Sequence, residues 1–132
     1  MNTQSSASVD DDLAIAIAHH QARRLDEADK AYRDILVQRP YHPLANHNLG
    51  ILAWQQGRPV EGLPYLRKAW SVNPDEGQFW LSYAEGLLRA GQPDNAREVL
   101  ANAQARGLDS PELHALLSQC ADQLAALAAP CP

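Results

Sequence analysis

Five histidines, two cysteines and sixteen carboxylates are the side chains of this 132-residue chain that could ligate a metal or move a proton. Their spacing argues against either use. His19 and His20 are adjacent, so on a helix they point about 100° apart and cannot chelate one ion together. His42 and His47 straddle the start of an expected helix, and the six-residue step from His114 to Cys120 puts the two on different faces. Cys120 and Cys131 form no CxxC pair and could at best close a small terminal loop, so they read as two thiols of a cytosolic protein. No Gly-rich phosphate loop, HExxH or GxSxG occurs, and no carboxylate pair is visibly buried. The expectation is a chain that is no enzyme and holds no metal or cofactor.

The bulk properties narrow the partners. A net charge of -5 and a pI near 5.4 argue against an electrostatic grip on nucleic acid, which needs clustered cations. The basic pairs Arg23–Arg24 and Arg67–Lys68 have acids nearby and read as solvated helix faces. No apolar run is long enough to span a membrane. The opening MNTQSSASVDDD has no basic n-region and no apolar core, so no secretory signal is expected and a cytoplasmic location is.

What must position any binding residues is a repeat. Written in rows of 34 from Val9, Pro43 and Gly77, the chain places small residues at row position 8 (Ala16, Gly50, Ala84) and at position 20 (Ala28, Gly62, Ala96). Bulky residues fall at position 7 (Ile15, Leu49, Tyr83) and at position 24 (Tyr32, Leu66, Leu100). Two antiparallel helices approach closely only where side chains are small, so positions 8 and 20 are expected to face each other. Gly57 and Gly91 at position 15 suit a left-handed helix stop, and Pro59 and Pro93 suit the first turn of the next helix. Pro40 and Pro74 at position 32 stop the second helix. Ser8 with Asp11 reads as a capping box opening the first helix. Ser110, Pro111 and Glu112 read as the start of a seventh helix that closes the array. Pro64 breaks the pattern, and the second helix of row two is expected either to start late, near Glu61, or to kink, the late start being preferred.

These residues resemble the tetratricopeptide repeat, a 34-residue helix–turn–helix unit. Row two carries NLG at 48–50, Gly57, Ala69 and Pro74; row three adds Trp80, Ala84, Gly91, Ala96 and Ala103. Row one departs from the pattern, with Asp12 and His19 where aromatics are usual and Ile35 at a small-residue position. The resemblance implies an all-α fold: three stacked hairpins in a right-handed α-solenoid plus a C-terminal capping helix. Its units would be a tail at 1–8, repeats at 9–42, 43–76 and 77–108, a cap at 109–129 and a tail at 130–132.

The resemblance also implies a concave groove lined by the first helix of each row. Carried onto this chain, the groove positions are Asp10, Leu13, Ala14, Ile17, His20 and Gln21, then Leu44, His47, Asn48, Ile51, Trp54 and Gln55, then Gln78, Leu81, Ser82, Glu85, Leu88 and Arg89, with Leu13, Ile17, His20, Leu44, His47, Asn48, Ile51, Trp54, Gln78, Leu81, Glu85 and Leu88 the expected binding residues. This lining is largely apolar and suits an amphipathic helix or an extended apolar segment of a partner protein, with Trp54 as anchor. Of the positions that clamp a chaperone's C-terminal carboxylate in some relatives (here Leu13, Ile17, Asn48, Gln78 and Ser82), only Asn48 survives, so chaperone tails are not expected ligands. Asn48 also matches the asparagine ladder of O-linked N-acetylglucosamine transferases, interrupted here by Ala14 and Ser82.

The implied function is a non-catalytic protein-interaction module. Two alternatives stand beside it. The wording from Ile35 to Pro74 resembles repeat segments that precede bacterial SPINDLY-type glycosyltransferase domains, which would make the groove a substrate-recognition part of a larger enzyme. Size, charge and groove lining also fit a class II type III secretion chaperone. A homodimer through the convex face or the end helix is compatible with the sequence.

Overall fold

The computed structural model describes residues 6–128, which form seven helices. These are α1 (Ser6–Gln21), α2 (Leu25–Gln38), α3 (Pro43–Gln55), α4 (Pro59–Val72), α5 (Gly77–Arg89), α6 (Pro93–Ala105) and α7 (Pro111–Ala128). Each consecutive pair packs as a hairpin, and each hairpin stacks on the next through α2–α3, α4–α5 and α6–α7. In addition α3 packs on α5 and α5 on α7, whereas α2, α4 and α6 meet one another weakly or not at all. Helices α3, α5 and α7 therefore form the tighter side, and α1 continues it through the His20–Gln55 contact with α3. The chain is an all-α stack of three hairpins and a capping helix.

The turns repeat one backbone device. Gly57 and Gly91 both sit at φ 77°, where a glycine has no Cβ to clash. Arg58 N–H donates to Ala53 O at 2.9 Å and Gln92 N–H to Leu87 O at 2.8 Å, the six-to-one bond of a Schellman stop. Row one makes the same turn with a non-glycine: Arg23 is at φ 64°, and Arg24 N–H donates to His19 O at 2.9 Å. Register alone forces the left-handed conformation on Arg23.

Within the second hairpin the small residues meet as expected. A Cβ on Gly62 would lie 2.6 Å from the Gly50 carbonyl oxygen, and one on Gly50 would lie 2.5 Å from Leu66 Cγ. The core is split in two. Val9, Ala28, Tyr32, Ile35, Ala45, Leu49 and Leu52 form one cluster; Trp80, Leu81, Leu88, Leu100, Leu113, Leu116 and Cys120 belong to the other. Ser110 Oγ accepts from Leu113 N–H at 3.2 Å, so the final helix opens on the cap its sequence proposes.

Two local expectations need correction. Helix α4 does not start late: it runs from Pro59 to Val72 with Pro64 inside it. The Schellman stop at Gly57 and the proline at Pro59 fix the start by register, and the missing donor of Pro64 is absorbed where Val60, whose carbonyl it would have met, is exposed. Helix α1 starts at Ser6, so Ser8 lies within its first turn and does not cap it. Val9 is buried as a helical residue, and its turn is completed on the N-terminal side. Of the tail expected at 1–8, residues 6–8 belong to α1, while residues 1–5, the tail at 130–132 and Cys131 lie outside the described residues.

Candidate partner-binding groove

The inner curve is built by α1, α3 and α5, and three-residue and four-residue steps along each helix bring the groove positions to one side. Leu44 and Gln78 are exposed there; Leu13, Ile17, His20, Asn48, Ile51, Trp54 and Glu85 are half-buried. Leu81, Leu88 and His47 are buried instead of lining an open trough. The reason is α7, which packs against α5 as a fourth inner helix, so that Leu81 and Leu88 join the core cluster containing its Leu113 and Leu116. The exposed lining is consequently less apolar toward the third hairpin than the sequence pattern implies.

Between the apolar residues runs a row of polar groups that satisfy one another. Gln78 Nε2–H donates to Ser82 Oγ at 3.2 Å, and the Ser82 hydroxyl donates to His47 Nε2 at 2.7 Å. His47 Nδ1–H then donates to Asn48 Oδ1 at 3.1 Å. The Asn48 amide lies beside the Tyr32 hydroxyl, which donates to His20 Nδ1 at 3.0 Å, and His20 Nε2–H donates to Gln55 Oε1 at 2.7 Å. With Gln55 and Asn48 presenting their carbonyl oxygens, the ring nitrogen facing each of them is the one that carries an N–H. Burial pushes the Tyr32 phenol up to about 12, with the Asn48 amide pulling the other way. Burial likewise holds His47 below its ordinary 6.5, against the Asn48 contact and the Glu76 charge.

Trp54, the expected anchor, is pinned rather than free. The Arg89 guanidinium carbon lies 4.9 Å from its ring centroid, and Glu85 accepts from that guanidinium at 2.7 and 2.9 Å. On its other side the ring reaches Gly86, where a Cβ would come within 3.7 Å of Trp54 Cε3. Ile17, His20, Gln21, Tyr32, Asn48 and Gln55 line an open depression of about 360 Å³ between α1 and α3. Among the described residues no three of the His, Cys, Asp and Glu side chains come together as a metal site, and no helix is long and apolar enough to cross a membrane.

Sequence reading missed Tyr32 as part of this floor, and it placed Gln55 and Arg89 at groove positions without giving them partners. A signal exists. His20 meets Gln55, His47 meets Ser82 and Trp54 meets Arg89, each pair separated by one repeat plus one residue. A scan for complementary side chains at that offset finds all three.

Comparison with known proteins agrees with this architecture. Two family models described as tetratricopeptide repeat match the chain, one over residues 13–75 and one over 53–120. No curated protein matches. Among solved structures, the Yersinia enterocolitica type III secretion chaperone SycD in complex with a peptide of the translocator YopD is 22% identical, with 96% of each chain covered and a TM-score of 0.75. PcrH from Pseudomonas aeruginosa is 22% identical over 97% of each chain, with a TM-score of 0.73. The TPR2B domain of yeast Sti1, solved with pHsp70, is 16% identical over 89% of this chain and 99% of that one, with a TM-score of 0.81.

Proposed function

The chain belongs to the tetratricopeptide repeat family, and from that premise we propose that it is a non-catalytic module that holds a segment of a partner protein along α1, α3 and α5. The observation that carries the reading is the pairing of the polar row with the apolar residues flanking it. Ile17, Ile51 and Leu44 offer surface to apolar side chains, while the Asn48, Gln55 and Gln78 amides offer donors and acceptors to a peptide backbone. An extended segment with alternating apolar residues uses both. The depression beside Ile17 accepts one such side chain, and Trp54, held in place by Arg89, loses little freedom on contact.

The test is panning of the folded protein against a random peptide library, followed by titration of the enriched peptides into wild type and into Ile17→Glu with Ile51→Glu. The double variant is expected to keep its helical circular dichroism and to lose ~10-fold or more in affinity. Equal binding by wild type and variant rejects the groove.

A second reading, a chaperone for type III secretion translocators, is favoured by the end-to-end correspondence with SycD, which leaves no major element of either chain unmatched. SycD is solved with a YopD peptide, and PcrH with the chaperone binding region of PopD. Titrating those two segments into this protein tests the reading directly. Saturable binding that Ile17→Glu weakens supports it, and no binding at ~100 µM peptide rejects it.

A further inference from the structure

Pro64 lies inside α4 and interrupts its hydrogen-bond ladder, because proline has no N–H to give the Val60 carbonyl. Both residues line an open depression of about 470 Å³ on the outer side of α4, and Val60 is 59% exposed there. Leu63, Tyr83 of α5 and Tyr41 of the α2–α3 turn complete its apolar surface. The Tyr83 ring is held by stacking on Trp70, with centroids 5.9 Å apart and planes inclined by 21°. Tyr41, 67% exposed, also lines a second depression of about 410 Å³ over Pro40 and Pro43. The two form one furrow across the middle of the array, and it shares no residue with the groove positions.

The charges choose the occupant. No carboxylate lines either depression, although the chain carries a net charge of -5. Arg39 lines one, and Arg67 and Lys68 line the other. None of the three makes an ion pair among the described residues, whereas Arg33, Arg58, Arg89, Arg97 and Arg106 all do. Lys68 Nζ instead lies 5.3 Å from the Tyr41 ring centroid.

The furrow therefore offers apolar recesses on both sides of Tyr41, uncompensated cations along them, and a backbone acceptor at Val60 that lacks its helical donor. A ligand that uses all of these carries apolar side chains, carboxylates and an N–H. A short acidic segment of polypeptide has them. An anionic bilayer would meet the same cations, but it would also face the rest of an acidic chain, whose charge acts over about 8 Å at physiological salt.

We propose that this furrow is a second binding site, for a short, extended, acidic segment of a partner protein. Its apolar side chains straddle Tyr41, its carboxylates meet Arg39, Arg67 and Lys68, and one of its backbone N–H groups donates to the Val60 carbonyl. Pro64 holds that acceptor open at a cost in helix stability.

Fluorescence anisotropy of the full chain with defined probes tests this. The probe is a fluorescein-labelled peptide of ~10 residues with leucines two positions apart among glutamates, so that an extended backbone puts the leucines on one side. One control replaces the glutamates by lysine and another the leucines by serine. Saturable binding of the probe is expected below ~100 µM, weaker as salt rises, with each control bound ~10-fold or more weakly. Arg67→Glu with Lys68→Glu is expected to lose ~10-fold or more in affinity with unchanged helical circular dichroism. Ile17→Glu with Ile51→Glu, which alters the groove, is expected to leave the affinity unchanged. Pro64→Ala is expected to weaken binding ~3-fold or more while raising the urea midpoint, a pairing that a merely structural proline would not give. No saturable binding at ~100 µM overturns the proposal. So does equal affinity for the lysine control, equal affinity of Pro64→Ala and wild type, or loss of binding in the groove variant but not in the charge variant. Co-sedimentation with phosphatidylserine vesicles supplies the remaining arm: vesicle binding that Arg67→Glu with Lys68→Glu abolishes, without peptide binding, assigns the furrow to a membrane and overturns the proposal as well.

Discussion

His47 Nε2 lies 2.7 Å from Ser82 Oγ, joining α3 to α5 beneath the inner surface at a separation of 35 residues. The contact ties neighbouring hairpins, and burial of the ring favours its neutral form there. His42 has a similar dependence: its Nδ1 accepts from Ala45 N–H at 3.1 Å and so caps α3. A protonated ring would point a donor at a donor and a cation at the positive end of the helix.

Stability is therefore expected to fall on mild acidification. Burial holds both His42 and His47 below their ordinary 6.5 in the folded chain. The unfolded chain then binds more protons between the folded and unfolded values. The contribution is complete above about pH 6.5 and is lost as pH falls through the folded values. Urea unfolding at about pH 7.5 and about pH 5.5 measures this, and His42→Asn, which keeps a capping oxygen, is expected to reduce the loss. An identical loss in the variant would show that His42 takes no part.

Gly62→Ala is expected to destabilise the protein. Alanine in place of a helical glycine gains about 1 kcal/mol in propensity. Here its Cβ would lie 2.6 Å from the Gly50 carbonyl oxygen and 3.0 Å from Ala53 Cβ, neither of which can swing away. Overpacking of that kind costs about 1–3 kcal/mol, so a net loss near ~1 kcal/mol should appear as a lower urea midpoint with an unchanged slope.

Arg23→Gly is expected to do the reverse. Arg23 is exposed and sits at φ 64°, a conformation that costs an L-residue roughly 1–2 kcal/mol and glycine nothing. Glycine's freedom in the unfolded chain offsets part of this, leaving a gain of about 0.5–1 kcal/mol and a higher melting temperature. A lower melting temperature would mean that the Arg23 side chain makes a contact worth more than the strain.

Pro64→Ala is expected to stabilise as well. The substitution returns an N–H to the Val60 carbonyl within a helix that already runs through the site. The interior cost of proline is ~3 kcal/mol, reduced here by the solvent exposure of both residues, and the restriction proline places on the unfolded chain opposes the gain by about 0.4–1 kcal/mol. A net gain near ~1 kcal/mol is the expectation, measured by urea unfolding. A decreased unfolding free energy would reject it.

The fold was legible because steric bulk recurs with the repeat. Gly50 opposes Gly62, Gly57 and Gly91 share one turn conformation, and even Arg23 adopts it, because hairpin geometry is set by where side chains are small and where the chain must reverse. The groove was legible only in part. Helical phase places Leu81 and Leu88 on the inner side, but whether they meet solvent depends on how closely α7 packs, which no local pattern encodes. One residue of the polar floor escaped for a related reason. Tyr32 lies on α2, outside the helices expected to line the groove, and reaches His20 only because the first hairpin closes. Pro64 was misread because a local breaker was weighed above the register of the whole array.

The divided core has a consequence for how the molecule comes apart. Leu49 and Leu52 of the middle hairpin belong to one cluster, whereas Leu63 and Trp70 of the same hairpin pack on the other. Fraying at either extremity therefore leaves α3 and α4 half-supported, and only simultaneous loss of both neighbours releases them. Amide protons there should exchange last, and those of α1 and the end of α7 first, in a gradient running outward from the centre of the chain.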